Sequence, residues 1–468
     1  MISDNKGLRD LQDASATTFE QMLAHGQALA RERSAQFDAA IDASGSDDVA
    51  FLVYTSGTTG APKGAMISNR NLMFQISNIH AYQPLVPGDR SVSFLPLCHI
   101  AERMNTAYNP LALGHIVHFP ENASTIFNDV REVAPHALFG PPRFWQKLHN
   151  QVTLYMKDAM PMARNAYQSV TAEGAALAQA RLEGRPITGW RATRYQLMQK
   201  VVLGNLRSFL GVQNLKSAIT GAAPVPPDLL RWFMAIGVDL LEAFGMTETA
   251  GFCTAMPPAR IRIGTAGIAC AGTEIRIGAE NEILVRRPNV FPGYWKLPEQ
   301  TSAAIDGEGW LHTGDCGELD ADGYLSIKDR LKDIIITSGG KNITPSNIES
   351  QIKSSEYISD AVVIGEGRHY LTCLVMLDQD TVAKFAQDRQ LAYTDYASMT
   401  RTPDVLELIH AEIEQVNNRL ARVEQIKTFR IIAQQLGAED EELTPTMKLK
   451  RKVVAHKYAE LIDSMYAG

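Results

Sequence analysis

The sequence offers no sign of paired cysteines. Its five, Cys98, Cys253, Cys270, Cys316 and Cys373, are odd in number and scattered, with no C-x-x-C spacing. That argues against a disulfide framework or a zinc site and for reduced thiols in a cytosol. No apolar run approaches the roughly 18 residues of a spanning helix, and the N-terminus lacks the apolar core of a signal peptide. The expected location is cytoplasmic, with contact to the inner face of a membrane open in peripheral form only. Excess positive charge is also missing: a net charge of -7 gives no reason to expect nucleic acid. Internal repeats and low-complexity segments are absent. What remains is an ordinary soluble composition, 45% hydrophobic and 21% charged. At 468 residues the chain is too long for one core and suits two or three domains.

Residues 1–46 are polar and Ala-rich, with helical spacing around Phe19, Met22 and Leu23. From 49 to about 145, short apolar runs alternate with Gly/Pro punctuation, the pattern of an α/β protein. Residues 91–95 and 116–119 read as strands, each stopped by a proline (Pro96, Pro120). The stretch 145–210 favours helix. Strand character returns at 217–220 and 238–241 and in short pieces from 261 to 290. A second unit starts near 331, with strands at 334–336 and 361–364 and helices that include 404–424. An acidic segment, Glu439 to Glu442, precedes a basic terminus.

The densest chemistry lies in Tyr54 to Gly64, Y-T-S-G-T-T-G-A-P-K-G, directly after the apolar run 49–53. Gly57, Gly60 and Gly64 let backbone N–H groups approach an anion, and consecutive loop N–H groups form an anion-binding concavity. Thr55, Ser56, Thr58 and Thr59 add hydroxyl donors, and Lys63 adds a charge. The spacing from Gly57 to Lys63 is not that of a Walker A loop, and Gly64 rather than Ser or Thr follows the lysine. A flexible surface turn is the bland alternative. The strand at 49–53 is expected to take its backbone pairing from the central sheet that follows it.

This string resembles the phosphate loop of the acyl-adenylate-forming superfamily, which holds acyl-CoA synthetases, luciferases and peptide-synthetase adenylation domains. Further strings keep the superfamily's order. Glu242-Ala243-Phe244-Gly245-Met246-Thr247-Glu248-Thr249, read as following the apolar strand, resembles its adenine-and-magnesium motif. An aromatic beside a glycine offers a flat face and room for a purine, Thr247 can donate to a phosphate oxygen, and Glu248 is a hard ligand suited to Mg²⁺. Alone the octapeptide would also fit a strand-to-helix cap. Gly221 and Ala222 look like a second adenine-contacting turn. Thr313-Gly314-Asp315, read as lying before a hairpin with Asp322-Gly323 at its turn, implies a ribose contact through Asp315. In the following Lys328 to Asp333, Arg330 resembles the residue that helps hold the ribose, and Lys332 falls on the hinge position. Gly339 and Gly340 resemble the loop that lines the CoA tunnel. Lys448, within Leu443 to Arg451, matches the catalytic lysine, with Met447 where most members have glycine. A Met-containing version resembles long-chain fatty acyl synthetases.

Pro96 to Arg103 resembles the acyl-site motif of long-chain and bubblegum-type members, and makes His99 an acyl-pocket residue, a satisfied buried histidine being the alternative. His99 and Glu102 stand at i, i+3, but no further ligand comes at metal spacing. In 181–207, Arg181, Arg185, Arg191, Arg194, Lys200 and Arg207 interleave with Trp190 and Tyr195, fitting either anionic headgroups or a solvated face.

The resemblance implies an α/β protein: a large N-terminal adenylate-forming domain, residues 1–331, with a helical insertion at about 145–210, and a small mobile α+β domain, residues 332–468. It implies a long-chain-fatty-acid–CoA ligase that uses ATP, CoA and Mg²⁺. Two other readings stay open: a ligase loading a carrier protein, and an inactive nucleotide- or acyl-binding remnant. The second is raised by the 53 residues before Tyr54, fewer than the superfamily carries there. The front of the large domain is therefore expected to be incomplete and to expose apolar side chains.

Overall fold

The computed structural model describes residues 16–55, 62–185, 189–190, 193, 198–436, 440–444 and 449–467. Its first strands, β1 (Val49–Thr55) and β2 (Lys63–Ser68), pair antiparallel. Across the large unit follow β3 (Arg90–Val92), β4 (Ile116–His118), β5 (Ala137–Gly140), β6 (Ser217–Gly221), β7 (Leu240–Met246), β8 (Gly251–Ala255) and β9 (Ile268–Ala269). These seven form the main sheet in the order β4-β3-β5-β6-β7-β8-β9. From β4 to β7 the pairings are parallel, and β8 and β9 join antiparallel. Every residue of β6 is buried, as expected of a parallel strand covered on both faces.

The helical stretch lies where the sequence places it, in helices Pro142–Asp158, Pro161–Leu182 and Gly204–Leu210. With helix Pro227–Ala235 they bury Trp145, Leu148, Leu203 and Phe233 against the sheet. Trp145 and Phe233 meet edge to face, 5.2 Å between centroids, and the indole N–H of Trp145 donates to Gly140 O. That last bond ties the helix to the end of β5.

Four more strands, β10 (Glu274–Ile277), β11 (Glu282–Arg286), β13 (Leu311–Leu319) and β14 (Leu325–Arg330), make an antiparallel sheet. The short β12 (Gly293–Tyr294) lies between them in sequence but pairs elsewhere, with β2. This corrects one expectation. β1 takes no pairing from the main sheet; it belongs to a separate three-stranded sheet, β1-β2-β12. Two boundaries also move. β7 runs through the octapeptide to Met246 instead of stopping before it, and Asp315 lies inside β13 instead of ahead of the hairpin.

The small unit has the hairpin β15 (Ile335–Ile336) and β16 (Asn342–Ile343), then the sheet β17 (Ile358–Ile364), β18 (Leu371–Leu377) and β19 (Ile426–Ile431). β18 is buried along its whole length. Helices Pro345–Ile352 and Pro403–Asn417 cover one face through Ile348, Ile352, Val405 and Ile409, and the C-terminal helices cover the other through Val454 and Ile462. The expected helix 404–424 thus ends at Asn417, whose side chain bonds the backbone N–H and C=O of Ile426 and stops the run.

The two units touch along helix Pro142–Asp158. Lys157 lies 3.0 Å from Glu356 and over the Tyr357 ring, and Lys384 lies 2.6 Å from Asp158. On the other side of the joint, Asp329 accepts from the backbone N–H and the hydroxyl of Ser346 at 3.0 and 2.7 Å. A carboxylate at the start of helix Pro345–Ile352 complements its dipole.

Candidate active site

β1 and β2 bring Thr55 and Lys63 into register, with the Thr55 hydroxyl 3.5 Å from Lys63 O. Ser56, Gly57, Thr58, Thr59 and Gly60 lie outside the described residues. Lys63 opens β2, directly across from Thr55 at the end of β1. The Lys63 ammonium sits 4.9 Å from the centroid of the Tyr294 ring. Tyr294, brought in by β12, donates through its hydroxyl to Glu248 Oε1 at 2.7 Å. Burial and the Glu248 carboxylate push the Tyr294 phenol up, so it remains a donor. Glu248 is itself buried, and its backbone C=O accepts from Phe291 N–H. A lysine, a phenol and one carboxylate thus converge where the phosphate loop leaves its hairpin.

Among the described residues no cluster of three or more His, Cys, Asp or Glu side chains could hold a metal. Glu248 alone suits Mg²⁺, which takes one or two carboxylates and completes its shell with water and phosphate oxygens.

At the C-terminal ends of the parallel strands lies a cavity of about 90 Å³. Gly221 and Ala222 from the end of β6, and Ala243, Gly245, Met246 and Thr247 from β7 and its turn, line one side. His99, Ile100, Ala101 and Met104 line another. The structure therefore brings His99 together with both adenine-motif turns. Burial lowers the His99 pKa and keeps the ring neutral, and its Nδ1 has no hydrogen-bond partner among the described residues. Glu102, three residues on, does not share the cavity. It is buried among Ser93, Thr106 and the backbone of Phe94 and Leu95, beside a second cavity of about 20 Å³.

Two residues of the octapeptide are occupied by the protein itself. A Cβ on Gly245 would lie 2.0 Å from Gly251 O, so the glycine admits strand β8 first of all, not a purine. Thr249 is fully buried; its hydroxyl accepts from Met246 N–H and donates to Gly251 O at 2.6 Å, which leaves it shaping the turn. The Phe244 ring is also largely covered, packed with Cys253, Ile283, Val285 and Leu325. Asp315 and Arg330 face each other across β13 and β14, Nε to Oδ1 3.4 Å apart, with the carboxylate mostly buried and the guanidinium exposed.

Lys332 is exposed on the single turn Leu331–Asp333 between β14 and β15. Gly339 and Gly340 are exposed at the β15–β16 turn, Gly340 at φ +71°, and are not among the cavity residues. Lys448 and Met447 lie outside the described residues. Both feet of their segment are held: Lys450 N–H donates to Glu442 O, and Arg451 bonds Glu349 at 2.6 Å and Val363 O at 2.8 Å.

In the basic stretch, Arg181 forms a bidentate pair with Asp239, Arg185 pairs with Glu183, and Arg207 donates to Ile236 O and to Gln199. Trp190 is exposed. Arg191, Arg194 and Tyr195 lie outside the described residues, as does the side chain of Lys200. No helix among the described residues is long and apolar enough to cross a membrane.

Sequence reasoning passed over Tyr294 and the amides Gln75, Gln83, Asn105 and Asn109. The cluster Phe291-Pro292-Gly293-Tyr294-Trp295 was a signal for the first. Gln75 gives both hydrogens of its amide to Thr249 O and Phe252 O, each at 2.9 Å, and so pins the turn that carries Glu248.

Residues 4–295 match the family model of the AMP-binding enzyme, and residues 332–468 match that of the AMP-binding enzyme C-terminal domain. A Mycobacterium tuberculosis protein assigned as fatty-acid–CoA ligase fadD11 is 38% identical over 424 residues, covering 90% of this chain and 74% of that protein. The bubblegum-like long-chain-fatty-acid–CoA ligase ACSBG1 of Mus musculus is 32% identical over 486 residues, covering 97% of this chain and 66% of that protein. In fold, the chain is similar to the adenylation domain of a carboxylate reductase from Mycobacterium chelonae. The TM-score is 0.69 at 21% identity, over 90% of this chain and 61% of that one.

Proposed function

We infer the activity from the premise that this chain belongs to the AMP-binding enzyme family. It activates a long-chain fatty acid with ATP and passes the acyl group to CoA. One observation carries this reading: a single cavity has the adenine-motif turns on one side and the apolar side chains around His99 on another. An acyl chain and the nucleotide that activates it can therefore meet at one edge of the main sheet, where ligands of open α/β sheets bind.

In the first step a carboxylate oxygen of the fatty acid attacks the α-phosphorus of ATP, and pyrophosphate leaves. Thr55, Ser56, Gly57, Thr58, Thr59, Gly60 and Lys63 cradle the phosphates, with Thr247 as a further donor. Asp315 and Arg330 hold the ribose; Gly221, Ala222, Phe244, Gly245 and Met246 shape the adenine side. Mg²⁺ bound by Glu248 and the phosphates would offset their charge, and the Tyr294 hydroxyl fixes the carboxylate that holds it. Lys448 bridges the two reacting anions. In the second step the small unit, residues 332–468, turns about Lys332, withdraws Lys448 and presents Gly339 and Gly340. The CoA sulfur attacks the acyl carbonyl, its proton goes to solvent, and AMP leaves. Positioning and charge stabilisation account for most of the catalysis.

The test is fatty-acid-dependent ATP–pyrophosphate exchange over a range of chain lengths, with thioester formation read separately from supplied acyl-AMP and CoA. Lys448→Ala is expected to lower exchange by about a hundredfold or more and to spare the thioester step. Equal loss of both steps sinks the assignment of Lys448; no exchange with any fatty acid sinks the activity.

A further inference from the structure

We propose that the pocket selects a fatty acid carrying a hydroxyl group on its chain, with Asn109 as the residue that reads it. The proposal rests on the fatty-acid activation above. The cavity is not apolar throughout. At the side away from β7, Gln83, Asn105 and Asn109 line it, and Gln83 and Asn105 continue into the second cavity with Ser93, Thr106 and His115. The sheet order fixes this direction: the adenine turns sit on β6 and β7, and the second cavity on β3 and β5. One to three strand spacings, on the order of 5–14 Å, separate them. A chain bound by its carboxylate at the nucleotide runs toward the amides.

Asn105 and Asn109, four residues apart, share a helix face, and the helix widens there. Asn109 N–H reaches back five residues to Met104 O in a π turn, and Pro110 has no N–H to donate to the next free carbonyl. Gln83 Nε2 and Asn109 Nδ2 both donate to Asn105 Oδ1, at 3.3 and 3.1 Å. That leaves Asn109 Oδ1 sealed from solvent with nothing donating to it among the described residues, in a residue 2% exposed. An amide oxygen only accepts, so the missing partner is a donor. A hydroxyl supplies one; a methylene or a ketone does not. His99 Nδ1 is also unpartnered, but an imidazole can place its proton on either nitrogen and so makes no such demand.

The experiment compares unsubstituted, hydroxy and oxo acids of one chain length, the substituent stepped along the chain, in ATP–pyrophosphate exchange by the full chain. At one position or more the hydroxy acid is expected to exceed both others by about tenfold or more in kcat/KM, since a site built to bond a hydroxyl discriminates strongly against analogues lacking it. Asn109→Leu is expected to abolish that preference and keep exchange with the unsubstituted acid. Equal use of all three by the wild type, or a preference unchanged in Asn109→Leu, overturns the proposal and leaves the activation reading standing. If no acid supports exchange, the activation reading fails instead. The same acids then compete, without ATP, to displace a fluorescent fatty acid from the wild-type protein: tenfold better displacement by the hydroxy acid upholds the proposal, and equal displacement overturns it.

Discussion

Glu242 is the one carboxyl beside the adenine motif whose burial pushes its pKa up to about 8, opposed only by a backbone hydrogen bond with Gly264. Its Oε2 is enclosed and has no partner among the described residues. Folded, the group stays protonated where the unfolded chain, with an ordinary value of 4.5, has already ionised. Its contribution to stability is thus full below pH 4.5, falls as pH rises, and is gone above about 8. Denaturation midpoints measured across that window should decline for the wild type and decline less for Glu242→Gln; parallel curves would count against it. Asp315 yields a second expectation. Asp315→Ala should weaken ATP binding by roughly 1.5–3 kcal/mol, the scale of a hydrogen bond to a charged group. Deoxy analogues of ATP should then lose little more in the mutant, and penalties that simply add would make Asp315 a partner for Arg330 alone. Both residues were legible in the sequence as motif members. Their burial was not, because it depends on the neighbouring strands, β8 beside Glu242 and β14 beside Asp315.

Elements divide the same way. β6 and β17 stand close to where the sequence places them, and the apolar run Ala361-Val362-Val363-Ile364 of β17 is covered on both faces. The end of β7 was misplaced because its far half, Glu242 to Met246, carries polar and small residues that suit a turn as well as a strand. Two-residue strands leave almost no trace: Gly293–Tyr294 counts as β12 only because β2 pairs with it. The polar end of the pocket was equally silent, since Gln83 meets Asn105 across 22 residues of chain and only the fold brings them together. Gly245 shows how one letter hides its reason. Gly245→Ala should destabilise the protein by about 1–3 kcal/mol or more, the scale of overpacking, because its Cβ would strike β8. Urea denaturation checks this; unchanged stability with lost nucleotide binding would return the glycine to the ligand.

At the scale of the whole molecule, the charged run Lys328 to Asp333, offered by the sequence as a joint, lies between the end of β14 and the hairpin β15–β16. The contacts of helix Pro142–Asp158 with Glu356, Tyr357 and Lys384 could not be read, since they join surfaces some 200 residues apart. Apolar side chains do stand uncovered on the large unit, among them Met73, Leu111 and Phe119. The sheet β1-β2-β12 has a consequence in time. The hairpin carrying the phosphate loop closes locally, yet its outer edge waits for Tyr294, and Asn71 beside it waits for Pro288 O and Val290 O. At synthesis rates of about 5–20 residues per second, the ribosome needs on the order of 10–50 s to travel from the loop to its clamp. During that interval the growing chain has a phosphate loop without Tyr294 to fix Glu248. Ribosome-stalled chains ending before residue 293 should leave the hairpin open to protease, and chains stalled well beyond residue 330 should protect it. Equal protection at both lengths would mean that the loop is set early, and that the late strand only seals what is already in place.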